Sequence, residues 1–378
     1  MQMLSKYDVA IIGGGLAGLA AAIQLVRKGH SVILFEKDAY PFHKVCGEYI
    51  SLESRDFLTS LGVPLNDFRL PLIDTLFLTA PNGNSFTTKL PLGGFGISRF
   101  LLDSTLAQLA QRNGVHLLQN TKVDNVLFNN EFTIDFKAQS VKATVCCAAY
   151  GKRSNLDVKW NRSFLQEKGH RLNNFVGIKY HIKTVGKENV IGLHNFKNGY
   201  CGISKIEEEK YCLCYMTKAE NLKMHNNSIA KMQERVLFQN PHLKKIFRES
   251  EVLQDFPVTI SQISFSKKPR VENGVLMLGD SAGMITPLCG NGMSIALHTS
   301  KIAATLIVDH LHRKLTRSEL EKRYEDQWKN HFAARLQTGR IIQSFFGSIT
   351  LSNLFVSSFK AFPFLAKPLI KQTHGRPF

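Results

Sequence analysis

Two β-branched runs, Val9-Ala10-Ile11-Ile12 and Val32-Ile33-Leu34-Phe35, bracket an alanine-rich helical pattern that opens with Gly13-Gly14-Gly15-Leu16-Ala17-Gly18. Gly13, Gly15 and Gly18 stand on the G-x-G-x-x-G spacing. Gly13 permits the tight strand-to-helix turn, Gly15 has no side chain to hold off a pyrophosphate, and Gly18 lets the helix pack close on the sheet. The helix N-terminus then points free N–H groups and partial positive charge at the phosphates. The second run ends in Glu36, about twenty residues past the turn, where an acid grips a ribose diol. Strand, glycine turn, helix, strand and acid in this order predict a Rossmann dinucleotide site.

A chain of 378 residues is long enough for two domains, or for one domain with a large insertion. Its formal net charge of +18 suggests an acidic partner, such as an anionic membrane surface or an anionic substrate. Nucleic acid is not expected, because no binding module is visible. The cysteines show no zinc-type pairing, so no metal site is expected and a reducing cytoplasm fits best. The apolar stretch from Val9 to Val26 is read as the dinucleotide βα unit rather than as an export signal or a membrane helix.

The fold class that follows is α/β. A Rossmann-type domain is assembled from discontinuous segments, with a β-sheet substrate domain inserted and a helical region at the C-terminal end. Residues 1–70 form the first dinucleotide segment and 71–98 a hairpin of the substrate domain, turning at Pro81-Asn82-Gly83-Asn84. Residues 99–165 return to the dinucleotide domain, with a helix from Arg99 to Arg112 and a β-meander ending at Ala148. Residues 166–266 are β-rich, apart from a helix over Ser228–Phe238 that Asn240-Pro241 is expected to end. Residues 267–315 carry the apolar strand Val275–Leu278 and a long helix from Gly292, and 316–378 are helical, basic and aromatic.

A second motif follows that apolar strand: Gly279-Asp280-Ser281-Ala282-Gly283, then Pro287 through Gly290-Asn291-Gly292-Met293. Asp280 at a strand end can accept hydrogen bonds from a polyol. The glycines and Asn291 make a tight loop against a flat ring, and the next helix aims its positive end at that ring. Such an arrangement suits a flavin, which gains negative charge on reduction.

Together the two motifs resemble the flavoproteins of the para-hydroxybenzoate-hydroxylase fold, and within them the geranylgeranyl-reductase-like oxidoreductases. The resemblance covers about residues 5–315. It implies FAD, with the ADP part on Gly13, Gly15, Leu16, Ala17, Gly18, Glu36, Lys37 and Val123. The ribityl chain would lie on Asp280, the phosphates near Arg99, and the flavin against Gly290, Asn291, Gly292 and Met293. Val45-Cys46-Gly47-Glu48 looks like the family's Cys-Gly/Ala-Glu loop, which makes Cys46 and Glu48 the candidate catalytic residues, Glu48 first as an anchor of the loop. Cys289 is read as a packing residue.

The chain departs from related enzymes at two places. Tyr150 stands where aromatic hydroxylases carry the acid of an Asp-Gly motif, which argues against rapid direct reduction by NADPH. The Trp-x-Trp-x-Ile-Pro motif of flavin-dependent halogenases is absent. The reading is a cytoplasmic FAD oxidoreductase acting on a hydrophobic substrate, an isoprenoid, polyene or aromatic lipid. Reduction of a carbon–carbon double bond is expected, with aromatic hydroxylation as the alternative and a non-catalytic flavin protein as the minor one. NAD(P)H or a reduced carrier would supply electrons. After Asp326 no acid occurs, while basic residues and phenylalanines interleave. That pattern suits peripheral contact with an anionic membrane or a cap over a substrate tunnel.

Overall fold

The computed structural model describes residues 5–165, 174–286 and 290–378. Two sheets organise it. In the first, Lys6–Ile12 lies between Val32–Phe35 and Gln139–Ala148, all parallel, with His116–Leu118 and Val275–Met277 outside them. Val9–Ile12 and Val32–Phe35 are buried along their length, as strands covered on both faces must be. The covers are the helices Leu16–Val26, Arg99–Arg112 and Gly292–Leu311, together with the hairpin of Asn125–Asn129 and Glu131–Phe136, whose Phe136 packs on Phe35. The small side chains Ala17 and Ala20 to Ala22 let the first of these pack tightly into the core.

The second sheet is built mainly from antiparallel strands. Phe175–Lys183, Tyr211–Lys218, Gly199–Lys205 and Val190–Phe196 follow one another across it, and Val190–Phe196 then pairs in parallel with Leu72–Thr79. Leu72–Thr79 continues through Ser85–Gly96 to Tyr49–Ser51, which brings the loop after Pro41 against both sheets.

One boundary differs from expectation. Asn240-Pro241 does not end helical structure: the helix Ile229–Arg235 stops earlier, and Asn240 caps a further helix, Pro241–Glu249, through its side chain on the His242 N–H. Proline at the first helical position loses no hydrogen bond, so the same dipeptide that stops one helix starts the next. The C-terminal region folds as Arg317–Phe345, Ile349–Ala361 and Ala366–Thr373. Among the described residues no single helix is long and apolar enough to cross a membrane, and the first two of these meet at a bend of 112°.

Candidate active site

At the end of Lys6–Ile12 the chain turns through Gly13 at φ +105°. A β-carbon there would stand 2.6 Å from the Ala149 carbonyl, and one on Gly18 would stand 2.0 Å from the Gly13 oxygen. Both positions therefore exclude side chains. Gly15 differs, since the nearest atoms to its missing β-carbon are the Arg99 guanidinium at 3.6 Å and the Lys44 ammonium at 3.9 Å. Backbone N–H groups at the start of Leu16–Val26 thus share one cleft with two cations, the chemistry a pyrophosphate requires. Buried Asp103 fixes both cations, accepting from Arg99 Nε and Nη2 at 2.7 Å and pairing with Lys44 at 3.0 Å. Burial pushes the Asp103 carboxyl up, but the charges of Arg99 and Lys44 hold it below the ordinary range.

The cleft has a volume of about 690 Å³ and is walled by Gly13, Gly15, Glu36, Lys37, Val123 and Asp280. Glu36 is buried, and its carboxylate accepts from the Gly14 and Asp38 N–H groups at 2.9 and 3.1 Å. Tyr40 donates its hydroxyl to the Gly14 carbonyl, bracing the turn from the other side. The Asp280 backbone carbonyl accepts from Lys268 Nζ at 2.9 Å, while its carboxylate faces the cleft with no hydrogen-bond partner among the described residues. Burial of Lys268 lowers its pKa to about 8. The glycine cradle, the paired cations and the unpartnered acid fit the phosphates and ribityl chain of FAD.

A second cavity, about 190 Å³, continues from this cleft past Gly15, Leu16, Ala17, Gly290, Gly292 and Met293. Its opposite wall is the Val45–Glu48 loop, whose consecutive carbonyls are all engaged. Val45 accepts from Lys152, Cys46 from the Cys212 thiol, Gly47 from Ser204 and Glu48 from the Ile97 N–H. Glu48 adopts φ +55° and is fully buried. Its carboxylate accepts from Lys179 Nζ and His181 Nε2 at 2.6 Å each, and from the Arg99 N–H at 2.9 Å. Burial alone raises the Glu48 pKa, yet the His181 hydrogen bond and the Lys179 charge more than reverse that and keep it ionised. Those three hydrogen bonds tie the loop to the strand Phe175–Lys183 and to the helix Arg99–Arg112.

Tyr150, the residue in the place of the expected acid, donates to Asp157 at 2.5 Å and accepts from buried Arg162 at 3.1 Å. Arg162 reaches on to the Ser281 carbonyl at 3.1 Å. This ion-paired network supports the Gly279–Ser281 turn from behind.

The structure brings almost all the sequence-predicted residues to one continuous cavity, with two exceptions. Gly18 lines neither part and acts through packing on Gly13. Asn291 is buried, and its amide donates to the Thr373 carbonyl in the C-terminal helix, so it ties the tail to the flavin loop instead of facing the cleft. Cys289 and Pro287 lie outside the described residues. Sequence reasoning missed Lys44, Lys152, Lys179 and His181. Lys179 and His181 carried a signal, two polar residues two apart on an apolar strand and hence on one face; Lys44 in its loop carried none.

Beyond Tyr49, Ile191, Leu193 and Gly290 the cavity meets an apolar chamber of about 90 Å³. The second sheet supplies Leu76, Leu78 and Phe86, and the tail closes it with Phe346, Phe359 and Ile370.

Comparison with known proteins agrees with this geometry. A family model described as FAD dependent oxidoreductase matches residues 8–44, and one described as squalene epoxidase matches residues 158–371, more than half of the chain. Conditioned medium factor receptor 1 of Dictyostelium discoideum is 26% identical over 353 residues, covering 87% of this chain and 68% of that protein. Digeranylgeranylglycerophospholipid reductase of Methanococcus vannielii is 24% identical over 348 residues, covering 86% and 82%. Among solved structures, flavin-dependent brominase Bmp2 superposes with a TM-score of 0.78 at 19% identity, covering 98% of this chain and 93% of that one. That likeness is one of fold. With an FAD cleft at its glycine turn and a family match over residues 158–371, which takes in the later strands of the second sheet and the tail, the chain belongs to the squalene epoxidase family of FAD-dependent oxidoreductases.

Proposed function

We propose that the protein reduces a carbon–carbon double bond of a long isoprenoid chain. The observation that carries this reading is the apolar chamber opening onto the flavin end of the cavity, with a lining that offers an alkyl chain contact and almost nothing to hydrogen-bond. The relative from Methanococcus vannielii, named as a reductase of a geranylgeranyl lipid, supports it. When bound, FAD supplies the hydride. Leu76, Leu78, Phe86 and Phe359 hold the chain and exclude water. Glu48 positions the loop, and Cys46, on the cavity wall, presents its thiol proton to the second carbon.

A second reading is epoxidation of the same bond, favoured by the squalene epoxidase match over residues 158–371, which supply Ile191, Leu193 and the tail side of the chamber. Dithionite-reduced holoprotein incubated with geranylgeraniol separates the two without knowledge of the natural donor. A saturated product without air, and no substrate-coupled oxygen uptake in air, is the expected result. Oxygen uptake that tracks substrate, with an oxygen atom retained in the product, replaces the first reading by the second.

The tail gives such a substrate a source. Leu354 on Ile349–Ala361 and Phe364 in the turn before Ala366–Thr373 are 63% and 68% exposed, and Lys360, Lys367 and Lys371 lie on those two helices, which help to close the chamber. Lysines near an anionic surface contribute about 1 kcal/mol each. The protein is expected to co-sediment with anionic vesicles and not with neutral ones, to be released by high salt, and to lose most of its binding when the three lysines become glutamine. Equal binding to both vesicle types leaves the tail as a cover for the core.

A further inference from the structure

The second sheet has a cavity on each face, because strand side chains alternate. Leu76, Leu78, Ile191 and Leu193 point to the flavin side. Thr75, Phe77, Gly192 and His194 point away from it, into a separate cavity of about 380 Å³ closed by the helix Pro241–Glu249. Nothing in the proposed reaction uses this space.

Its deepest polar group is His194, only 2% exposed. His194 Nδ1 lies 2.9 Å from Thr79 Oγ1, which itself accepts from Asn240 Nδ2 at 2.8 Å. Thr79 is fully buried, and its hydroxyl hydrogen finds no other acceptor among the described residues, so it goes to Nδ1. Burial, reinforced by nearby His242, lowers the His194 pKa to about 3, so the ring is neutral. A neutral ring that accepts at Nδ1 carries its proton at Nε2. That Nε2 is turned toward Gly192, where an added β-carbon would meet it at 2.7 Å, and it has no hydrogen-bond partner among the described residues. Phe77 stands edge-on to His194, and His242 stacks beside it at 6.1 Å.

The lining therefore combines one unpartnered N–H donor on a buried ring with an apolar floor of Phe77, Val190, Ile203 and Ile246 and with two lysines, Lys187 and Lys245. Among the described residues it contains no carboxylate; Lys245 makes only a 3.9 Å surface contact to Glu249. We propose that this cavity binds a small amphipathic carboxylate, one oxygen accepting from His194 Nε2 in the field of Lys187 and Lys245, its hydrocarbon on Phe77, Ile203 and Ile246. The lysine side chains are long and flexible enough to fold over a bound anion. The Nε2–H replaces one of the water hydrogen bonds that an anion gives up on entry, and the lysines set the sign of charge admitted.

The test is calorimetric titration of the FAD-loaded full chain with octanoate and with octanol. Octanoate is expected to bind at least tenfold more tightly than octanol. Lys187→Gln/Lys245→Gln should weaken it at least tenfold, and so should His194→Phe. Phe359→Trp, which narrows the chamber on the other face, should leave it unchanged. Absence of octanoate binding overturns the site, as does binding that survives both the lysine and the histidine variants. Binding lost only in Phe359→Trp assigns the ligand to the flavin-side chamber and equally overturns the proposal. The lysine variant, changed only at the surface, keeps the test decisive if His194→Phe does not fold.

Discussion

Glu48→Gln is expected to destabilise the protein by about 3–5 kcal/mol, the cost of leaving a buried charge without its partner. Lys179 is fully buried, and the Glu48 carboxylate is the charge that balances it. The amide keeps the shape and the φ of +55° but not the charge. The pH dependence follows from two opposite shifts. Glu48 has a folded pKa below its ordinary value, so its contribution is complete above the unfolded carboxyl pKa and is lost as pH falls through the folded one. For Lys179, burial lowers the pKa but the Glu48 charge outweighs it and the net shift is upward; its contribution is complete below the unfolded ammonium pKa and is lost as pH rises through the folded one. The pair therefore acts in full between about pH 4.3 and 10.4. Urea unfolding of wild type, Glu48→Gln, Lys179→Met and the double variant measures it at pH 7. The double variant should recover much of the loss. Single and double variants within about 0.5 kcal/mol of wild type would show that the pair does not hold the loop.

Arg335→Met is expected to be the second costly change, again by about 3–5 kcal/mol. Arg335 Nη2 donates to Glu53 at 2.8 and 3.2 Å, and Glu53 is 1% exposed. Its Nε reaches the Thr373 carbonyl at 3.4 Å, the same oxygen that Asn291 addresses from the flavin loop. One arginine thus ties the long tail helix, the first capped turn after Tyr49–Ser51 and the last helix together. In the variant the tail should be cut by protease earlier than the rest, and FAD should be released at lower urea. Glu53→Leu added to Arg335→Met removes the orphaned charge and should restore most of the stability. An unaltered digestion pattern in the single variant would falsify the role of the arginine as the fastening of the tail.

The dinucleotide unit was legible because each of its glycines answers to a local steric demand, and local demands leave local patterns. The hairpin at Pro81–Asn84 and the helix from Arg99 were legible for the same reason. The pairing of Lys44 with Asp103 was not, because nothing near residue 44 marks a contact that forms only when the loop after Pro41 folds back. Asn291 shows the limit from the other direction: its motif was read correctly as a loop at a helix start, but its amide partner is Thr373, far along the chain. Asn240-Pro241 was misread because a proline that stops a helix and one that starts a helix look alike until the capping side chain is seen.

The order of strands has a consequence for how the chain reaches its native state. Val190–Phe196 aligns with Leu72–Thr79, and Val275–Met277 with the end of Gln139–Ala148, so both sheets are completed by segments made long after their neighbours. Such non-local pairing carries a large loop-closure entropy and slows the search for the native topology. Until residues 275–277 leave the ribosome, Cys147 and Ala148 form a bare apolar strand edge, because the earlier hairpin covers only the other half of that strand. Nascent chains are therefore most open to aggregation late in synthesis, and yield should depend on translation rate and chaperone supply more than on the stability of the finished protein.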